Sequence, residues 1–325
     1  MSRPLVFVSR RIPNEWVEIL QESAEVEIWQ DKSPASREVL LQKVKGISGM
    51  LSFISERVDG ELMDAAGASL RVVGQFGVGY DNVDVPAATA RRIAVGNTPG
   101  VLTETTADYA WALIMAAARR VVEGANYVHR GLWVAGEPTM LLGIDVYGVT
   151  LGIIGFGRIG QAVARRARGF NMRILYYDKL TYPQAEQETG AVRVGLDDLL
   201  TQSDFVSLHT NLNQDTFHLI SSPQLAKMKK NAILINTSRG AVVDEQALYK
   251  ALVDRQIAYA GLDVTEIEPI SLDSPLLKLD NVIISPHIAS ASYETRRKMA
   301  RIAAENILAG VRGQQLPFCV NPEVY

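Results

Sequence analysis

The run LGIIGFGRIG at residues 151–160 constrains this chain more than any other stretch. Four apolar residues, Leu151 to Ile154, read as a buried strand, and Gly155, Gly157 and Gly160 follow in the spacing G-x-G-x-x-G. Gly155 permits a tight strand-to-helix turn, Gly157 lets backbone approach a pyrophosphate, and Gly160 lets the helix pack closely on the strand. Phe156, Arg158 and Ile159 complete this loop. The helix it opens, IGQAVARRARGF, would offer unpaired N–H groups and partial positive charge to phosphates. The next strand, RILYYD, ends in Asp178, 18 residues beyond Gly160, where a carboxylate can accept hydrogen bonds from ribose hydroxyls. These features point to a bound dinucleotide. The alternative is a glycine-rich turn with no ligand, in which Asp178 only caps the turn. The Asp178 charge repels a 2′-phosphate and so favours NAD; Lys179 offsets part of that repulsion, and NADP remains possible.

The motif lies mid-chain, so the residues before it need a purpose of their own. The first hundred alternate strand-like runs (PLVFVSR, EVEIW, GISGMLSFI, LRVVGQF, IAVGN) with helical ones. Ser36 opens one predicted helix, Gly67 ends another and Pro86 sits in the first turn of a third. Repeated β-α units imply a parallel sheet covered by helices. A long helical pattern runs from Thr103 to about Arg130, too apolar for a solvated linker and suited to bridging two domains or to a subunit interface. Alternation then resumes with VTLGIIG, RILYYD, FVSLHT, AILINTS, AYAGLDV and NVIISP. A last helix, SYETRRKMARIAAENILAGVRG, would pack back on the first block. The expected fold is therefore α/β: a Rossmann-type doubly wound nucleotide domain at 100–288, inserted in a smaller flavodoxin-like α/β substrate domain built from 1–99 and 289–325.

Composition narrows the function by exclusion. A net charge of −3 gives no footprint for nucleic acid or an anionic membrane surface. The one cysteine, Cys319, leaves no intrachain disulfide or multi-cysteine metal site, and no metal is expected. No run approaches a membrane span, and the N-terminal apolar stretch is too short for a signal peptide. A soluble cytoplasmic protein is the expectation.

Three predicted strands run into unusual side chains: AILINTS into Arg239, AYAGLDV into a turn carrying Glu268, and NVIISP into His287. Ligands of open α/β sheets bind beyond the carboxyl ends of strands, so neighbouring strands would bring these three groups to one crevice. Reducing a ketone by hydride leaves an alkoxide that needs a proton. His287 as imidazolium can supply it, Glu268 can orient the ring and favour its charged form, and Arg239 can pair with a substrate carboxylate and polarise the keto oxygen. The alternatives are an Arg239 that neutralises cofactor phosphates, a solvated Glu268 and a structural His287. The other histidines, His129, His209 and His218, show no comparable Arg and Glu set in the sequence.

The chain resembles the D-isomer-specific 2-hydroxyacid dehydrogenases over nearly its whole length. The likeness rests on VGYDNVDV at 78–85, NTPGVLTETTADYAWAL at 97–113, GIIGFGRIGQAVARR at 152–166, INTSRGAVVDEQAL at 235–248, GLDVTEIEP at 261–269 and SPHIASASYETR at 285–296. Within the family it looks most like the glyoxylate/hydroxypyruvate reductases. The resemblance implies that Arg239, Glu268 and His287 are catalytic and that backbone N–H groups of Val78 and Gly79 hold the substrate carboxylate. It implies that Thr106, Thr237 and Ser238 lie by the cofactor and Asp263 near the nicotinamide amide. It also implies a homodimer with the long helix after Thr103 in the interface, and a site in a closing cleft between domains. There are departures. The segment after Trp133 is shorter than in typical members and lacks the tryptophan pair that hydroxypyruvate reductases often present across the dimer. Ala289 stands where glycine is usual.

Two other readings set the bounds. A 3-phosphoglycerate dehydrogenase often carries a regulatory domain, and its substrate would want basic residues in the first block, where SERVDG offers only Arg57. A nucleotide-sensing scaffold would share the fold but would not need the Arg-Glu-His set.

Overall fold

The computed structural model describes residues 3–325. They fall into two compact units, one running to Leu102 and resuming at Ser292–Tyr325, the other spanning Thr103–Ala291.

The first unit is a parallel sheet of β1 (Leu5–Val8), β2 (Glu25–Ile28), β3 (Gly49–Ser52), β4 (Val72–Gln75) and β5 (Ala94–Gly96), in the order β2-β1-β3-β4-β5. That is the flavodoxin-like order. Ser36 caps the helix Arg37–Lys43 by accepting the Val39 N–H, and Gly67, at φ 82°, ends Gly60–Ala66. One face of the sheet buries Phe7, Met50 and Val73 against Leu40, Leu62 and Met63. The other is covered by the helix Tyr293–Val311. Its close approach depends on Gly74 and Gly96, paired across β4 and β5, where an added Cβ would lie 2.9 Å from Ile307 and 2.7 Å from Asn306.

The second unit holds β6 (Thr150–Ile154), β7 (Arg173–Tyr177), β8 (Val192–Arg193), β9 (Phe205–Leu208), β10 (Ile233–Asn236), β11 (Tyr259–Leu262) and β12 (Val282–Ile284). Every pairing is parallel, and the order β12-β11-β10-β9-β6-β7-β8 reverses between β6 and β9, as in a dinucleotide-binding sheet.

The long helical pattern after Thr103 is two helices, Thr103–Ala118 and Val121–His129. Arg120 breaks it with a left-handed backbone, φ 53°. The chain returning at 141–144 presses on the break: Ile144 N–H caps the Ala118 carbonyl at 2.9 Å, and a Cβ on Gly143 would lie 2.1 Å from that same oxygen. The first helix packs into the second unit. It buries Ala107, Ala110, Trp111, Leu113 and Ile114 in the core of the second unit, and Trp111 Nε1 donates to the Val163 carbonyl at 3.1 Å. Exposed apolar side chains instead follow the break, at Val121, Val122, Val128, Leu132, Trp133 and Val134.

Candidate active site

The glycine loop after β6 has the geometry its spacing implies. Gly155 has φ 89°, and a Cβ there would lie 2.6 Å from the His209 carbonyl, so β6 and β9 meet only over glycine. A Cβ on Gly160 would strike the Gly155 carbonyl at 2.2 Å, whereas one on Gly157 would meet nothing within 4 Å. The space before Gly157 is therefore open at the start of the helix Arg158–Ala167, where N–H groups are unpaired. Arg158 is exposed there, Ile159 half-buried, and Phe156 buried in a stack on Tyr176 at 4.1 Å. Thr106 is buried in the first turn of the helix packed against Arg158–Ala167.

Asp178 binds the loop it faces. Its Oδ2 accepts the Phe156 N–H at 2.7 Å and its Oδ1 the Leu180 N–H at 2.9 Å. A carboxylate has about four lone-pair sites, so each oxygen keeps one. Capping and ligand binding are thus compatible at this residue. Lys179 is drawn off to Asp215 at 2.5 Å, which weakens its offset of the Asp178 charge. Beyond β9 and β10, His209 Nδ1, Thr210 Oγ1 and Thr237 Oγ1 are buried with no partner among the described residues. Ser238 is bound to Asn236 Oδ1 through both its N–H, at 3.0 Å, and its hydroxyl, at 2.8 Å. An open space lined by helix N–H groups, a ribose-class carboxylate and uncommitted polar atoms at strand ends fits a dinucleotide.

The three strand ends are neighbours. Asn236, Leu262 and Ile284 stand side by side on β10, β11 and β12. His287 Nδ1 lies 2.8 Å from Glu268 Oε2, and Glu268 Oε1 accepts the Thr265 N–H at 3.2 Å. Arg239 follows β10, held through its carbonyl by Asn236 Nδ2 at 2.8 Å. The next residue must be glycine, because a Cβ on Gly240 would lie 1.9 Å from the Thr265 carbonyl. The Arg239 turn and the loop bearing Glu268 therefore pack backbone to backbone.

His287 has φ 54°, a conformation costly for a side chain with a Cβ, and its surroundings impose it. Asp263 does most of this. Its carbonyl takes the His287 N–H at 2.8 Å, and its carboxylate takes Ser285 Oγ at 2.7 Å, Ile288 N–H at 2.9 Å and Ala289 N–H at 2.7 Å. Burial pushes the Asp263 carboxyl above the ordinary range, against the pull of those bonds and of His287. No sequence pattern announces this bracing role. Glu245, half-buried, is also raised by desolvation, and it caps the Glu266 N–H at 2.5 Å on the same loop.

The other histidines separate on chemistry. Burial pushes His209 down to about 3, so it is neutral near pH 7 and has no proton to give. The sequence shows no acidic partner for His218, but in the fold its Nε2 lies 3.0 Å from Glu266 Oε1. A second His–Glu pair thus exists, formed by tertiary approach across 48 residues. In His287 the Nδ1 is engaged and Nε2 is left over; in His218 the Nε2 itself is engaged and the ring stacks on Phe217 at 4.0 Å.

In the first unit, Val78 and Gly79 form a half-buried turn after β4. Asn97 Nδ2 donates to the Val78 carbonyl at 2.8 Å, and the Thr98 N–H to the Gly77 carbonyl at 2.9 Å. Arg57 is exposed and paired with Asp59 at 3.0 Å, so SERVDG presents no basic cluster. Among the described residues, no group of His, Cys, Asp or Glu could hold a metal ion, and no helix is long and apolar enough to cross a membrane.

Residues 111–289 match the family described as D-isomer specific 2-hydroxyacid dehydrogenase, NAD binding domain. A glyoxylate reductase of Korarchaeum cryptofilum is 55% identical over 323 residues, which are 99% of this chain and 97% of that protein. A solved structure from Thermus thermophilus superposes with a TM-score of 0.91 at 45% identity, covering 97% of this chain and 99% of that one. An NADPH-dependent glyoxylate/hydroxypyruvate reductase of Sinorhizobium meliloti, solved with NADP and malonate, gives a TM-score of 0.88 at 33% identity, covering 100% and 98%.

Proposed function

The chain belongs to the D-isomer specific 2-hydroxyacid dehydrogenases, and from that premise we propose that it reduces small 2-keto acids, glyoxylate and hydroxypyruvate first, to D-2-hydroxy acids. It is an NAD(P)-dependent oxidoreductase, and the nicotinamide cofactor supplies the hydride. His287 gives the proton to the developing alkoxide from Nε2. Glu268, bound to Nδ1, fixes the ring and leaves Nε2 for the substrate. Arg239 pairs with the substrate carboxylate and polarises the keto oxygen. The N–H groups of Val78 and Gly79 are assigned to the carboxylate, as a backbone nest for an anion. The glycine loop, Thr106, Thr237, Ser238 and Asp263 are assigned to the cofactor, with NAD preferred because Asp178 faces the loop as a carboxylate.

The His287–Glu268 contact at 2.8 Å, at the carboxyl ends of adjacent strands, carries this reading. A kinetic matrix of 2-keto acids against NADH and NADPH tests it. Turnover of glyoxylate with NADH is expected; failure to turn over any 2-keto acid refutes it.

We also assign a homodimer, supported by the exposed apolar side chains of 121–134. Light scattering should give twice the chain mass of 35.6 kDa, and a monomer would end the assignment. The cytoplasm is the compartment we assign, from the free thiol of Cys319 and the use of a reduced nicotinamide.

A further inference from the structure

Resting on the assignment of Val78 and Gly79 to the substrate carboxylate, we propose that Asn97 is a positioning residue for substrate binding: its side-chain amide sets which way the Val78–Gly79 peptide faces. In a trans peptide the C=O and the following N–H point in opposite directions. The Val78 carbonyl is held by Asn97 Nδ2 at 2.8 Å, so the Gly79 N–H is turned to the side away from Asn97. The neighbouring carbonyl, of Gly77, is held by the Thr98 N–H at 2.9 Å. Two successive carbonyls are thus tied down by residues 97 and 98, and neither is left to face an anion.

This restraint matters because the backbone alone would let the peptide it holds turn. Flipping the unit between Val78 and Gly79 changes ψ of the first and φ of the second, and glycine accepts the positive φ that other residues resist. The backbone alone therefore permits both orientations, one presenting N–H to a carboxylate and one presenting C=O. Asn97 favours the first by a hydrogen bond that the second lacks.

Asn97 is itself anchored from far along the chain. Its carbonyl accepts Asn306 Nδ2 at 3.0 Å and its N–H donates to the Phe318 carbonyl at 3.3 Å. Asn306 is fully buried in Tyr293–Val311, and its Oδ1 takes the Phe318 N–H at 3.0 Å, so both ends of its amide are committed. The helix that closes the first unit thereby holds the residue that holds the turn. An aspartate in place of Asn97 would reverse the preference, since a carboxylate repels the Val78 carbonyl and attracts the flipped Gly79 N–H.

The test compares glyoxylate with glyoxylamide, which keeps the aldehyde and lacks the carboxylate, in the whole enzyme with NADH. The parent enzyme should favour glyoxylate in kcat/KM. Asn97→Asp should raise KM for glyoxylate by about tenfold or more, keep kcat within about twofold and cut the preference for the acid by about tenfold. Cofactor affinity, read from NADH fluorescence, should not move. Asn97→Ala removes the donor without adding charge and should raise KM by about three- to tenfold, which keeps the test decisive if the aspartate variant does not fold. A folded variant that keeps the parent's preference for glyoxylate overturns the role of Asn97 and leaves the carboxylate assignment standing. A parent enzyme with no preference between the two compounds refutes the assignment of Val78, Gly79 and Arg239 to the carboxylate, and the role of Asn97 with it.

Discussion

The carbonyl of Asp263 accepts the N–H of His287 at 2.8 Å, while its carboxylate takes three more donors from the same short loop. One buried acid at the end of β11 thus fixes, through main chain and side chain, the unusual backbone that aims the imidazole.

Asp263→Asn tests that relationship. The variant keeps one acceptor oxygen but sets an NH2 against an N–H or hydroxyl donor. Buried donors left without an acceptor cost about 1–3 kcal/mol each. A fall in kcat of about tenfold or more at saturating NADH is expected, beyond any loss of NADH affinity. A parental kcat at saturating NADH would show that Asp263 acts on the cofactor alone and not through the histidine loop.

Asp178→Asn removes the charge that opposes a 2′-phosphate but retains one acceptor for the Phe156 or Leu180 N–H. The ratio of kcat/KM for NADPH over NADH should rise by about tenfold, with about 1 kcal/mol of stability lost with the cap. Parallel kinetics of parent and variant with the two cofactors would remove Asp178 as the discriminating group.

His209 predicts an acid-side loss of stability. Its Nδ1 is shut off from solvent although an edge of the residue is not, and burial lowers it from 6.5 to about 3 in the folded chain. The unfolded chain then takes up a proton that the folded chain refuses. Stability is full above the unfolded-state value of 6.5 and declines as pH falls toward 3. The slope is at most about 1.4 kcal/mol per pH unit from this group. Denaturant melts between pH 7 and 4.5 should show it, and His209→Gln should flatten it. Identical pH dependence in parent and variant would contradict the assignment.

What could be read from the sequence was what local pattern controls. Alternating apolar runs and turn residues mark parallel strands, and Gly155, Gly157 and Gly160 carry their reasons in their spacing. Arg239, Glu268 and His287 could be grouped because ligands gather beyond strand ends. The break at Arg120 was not legible: AAARRVVEG carries no proline and no capping residue at the break, and it is the returning chain at 141–144 that ends the helix. Neither was the bracing by Asp263, whose donors lie 22–26 residues away, nor the pairing of His218 with Glu266, 48 residues apart. The role of Gly240 needs Thr265 against it, and that of Asn97 needs both Val78 and Asn306. Such contacts exist only once the sheets are assembled.

We propose His287 as the proton donor. Single-turnover reduction of glyoxylate by bound NADH in His287→Ala, beside His218→Ala as a control, tests it most directly. The account predicts a loss of about 10²–10⁴-fold in rate for the first variant, unchanged NADH affinity, and a near-parental rate for the second. A His287→Ala enzyme that reduces glyoxylate at the parent's rate would contradict it.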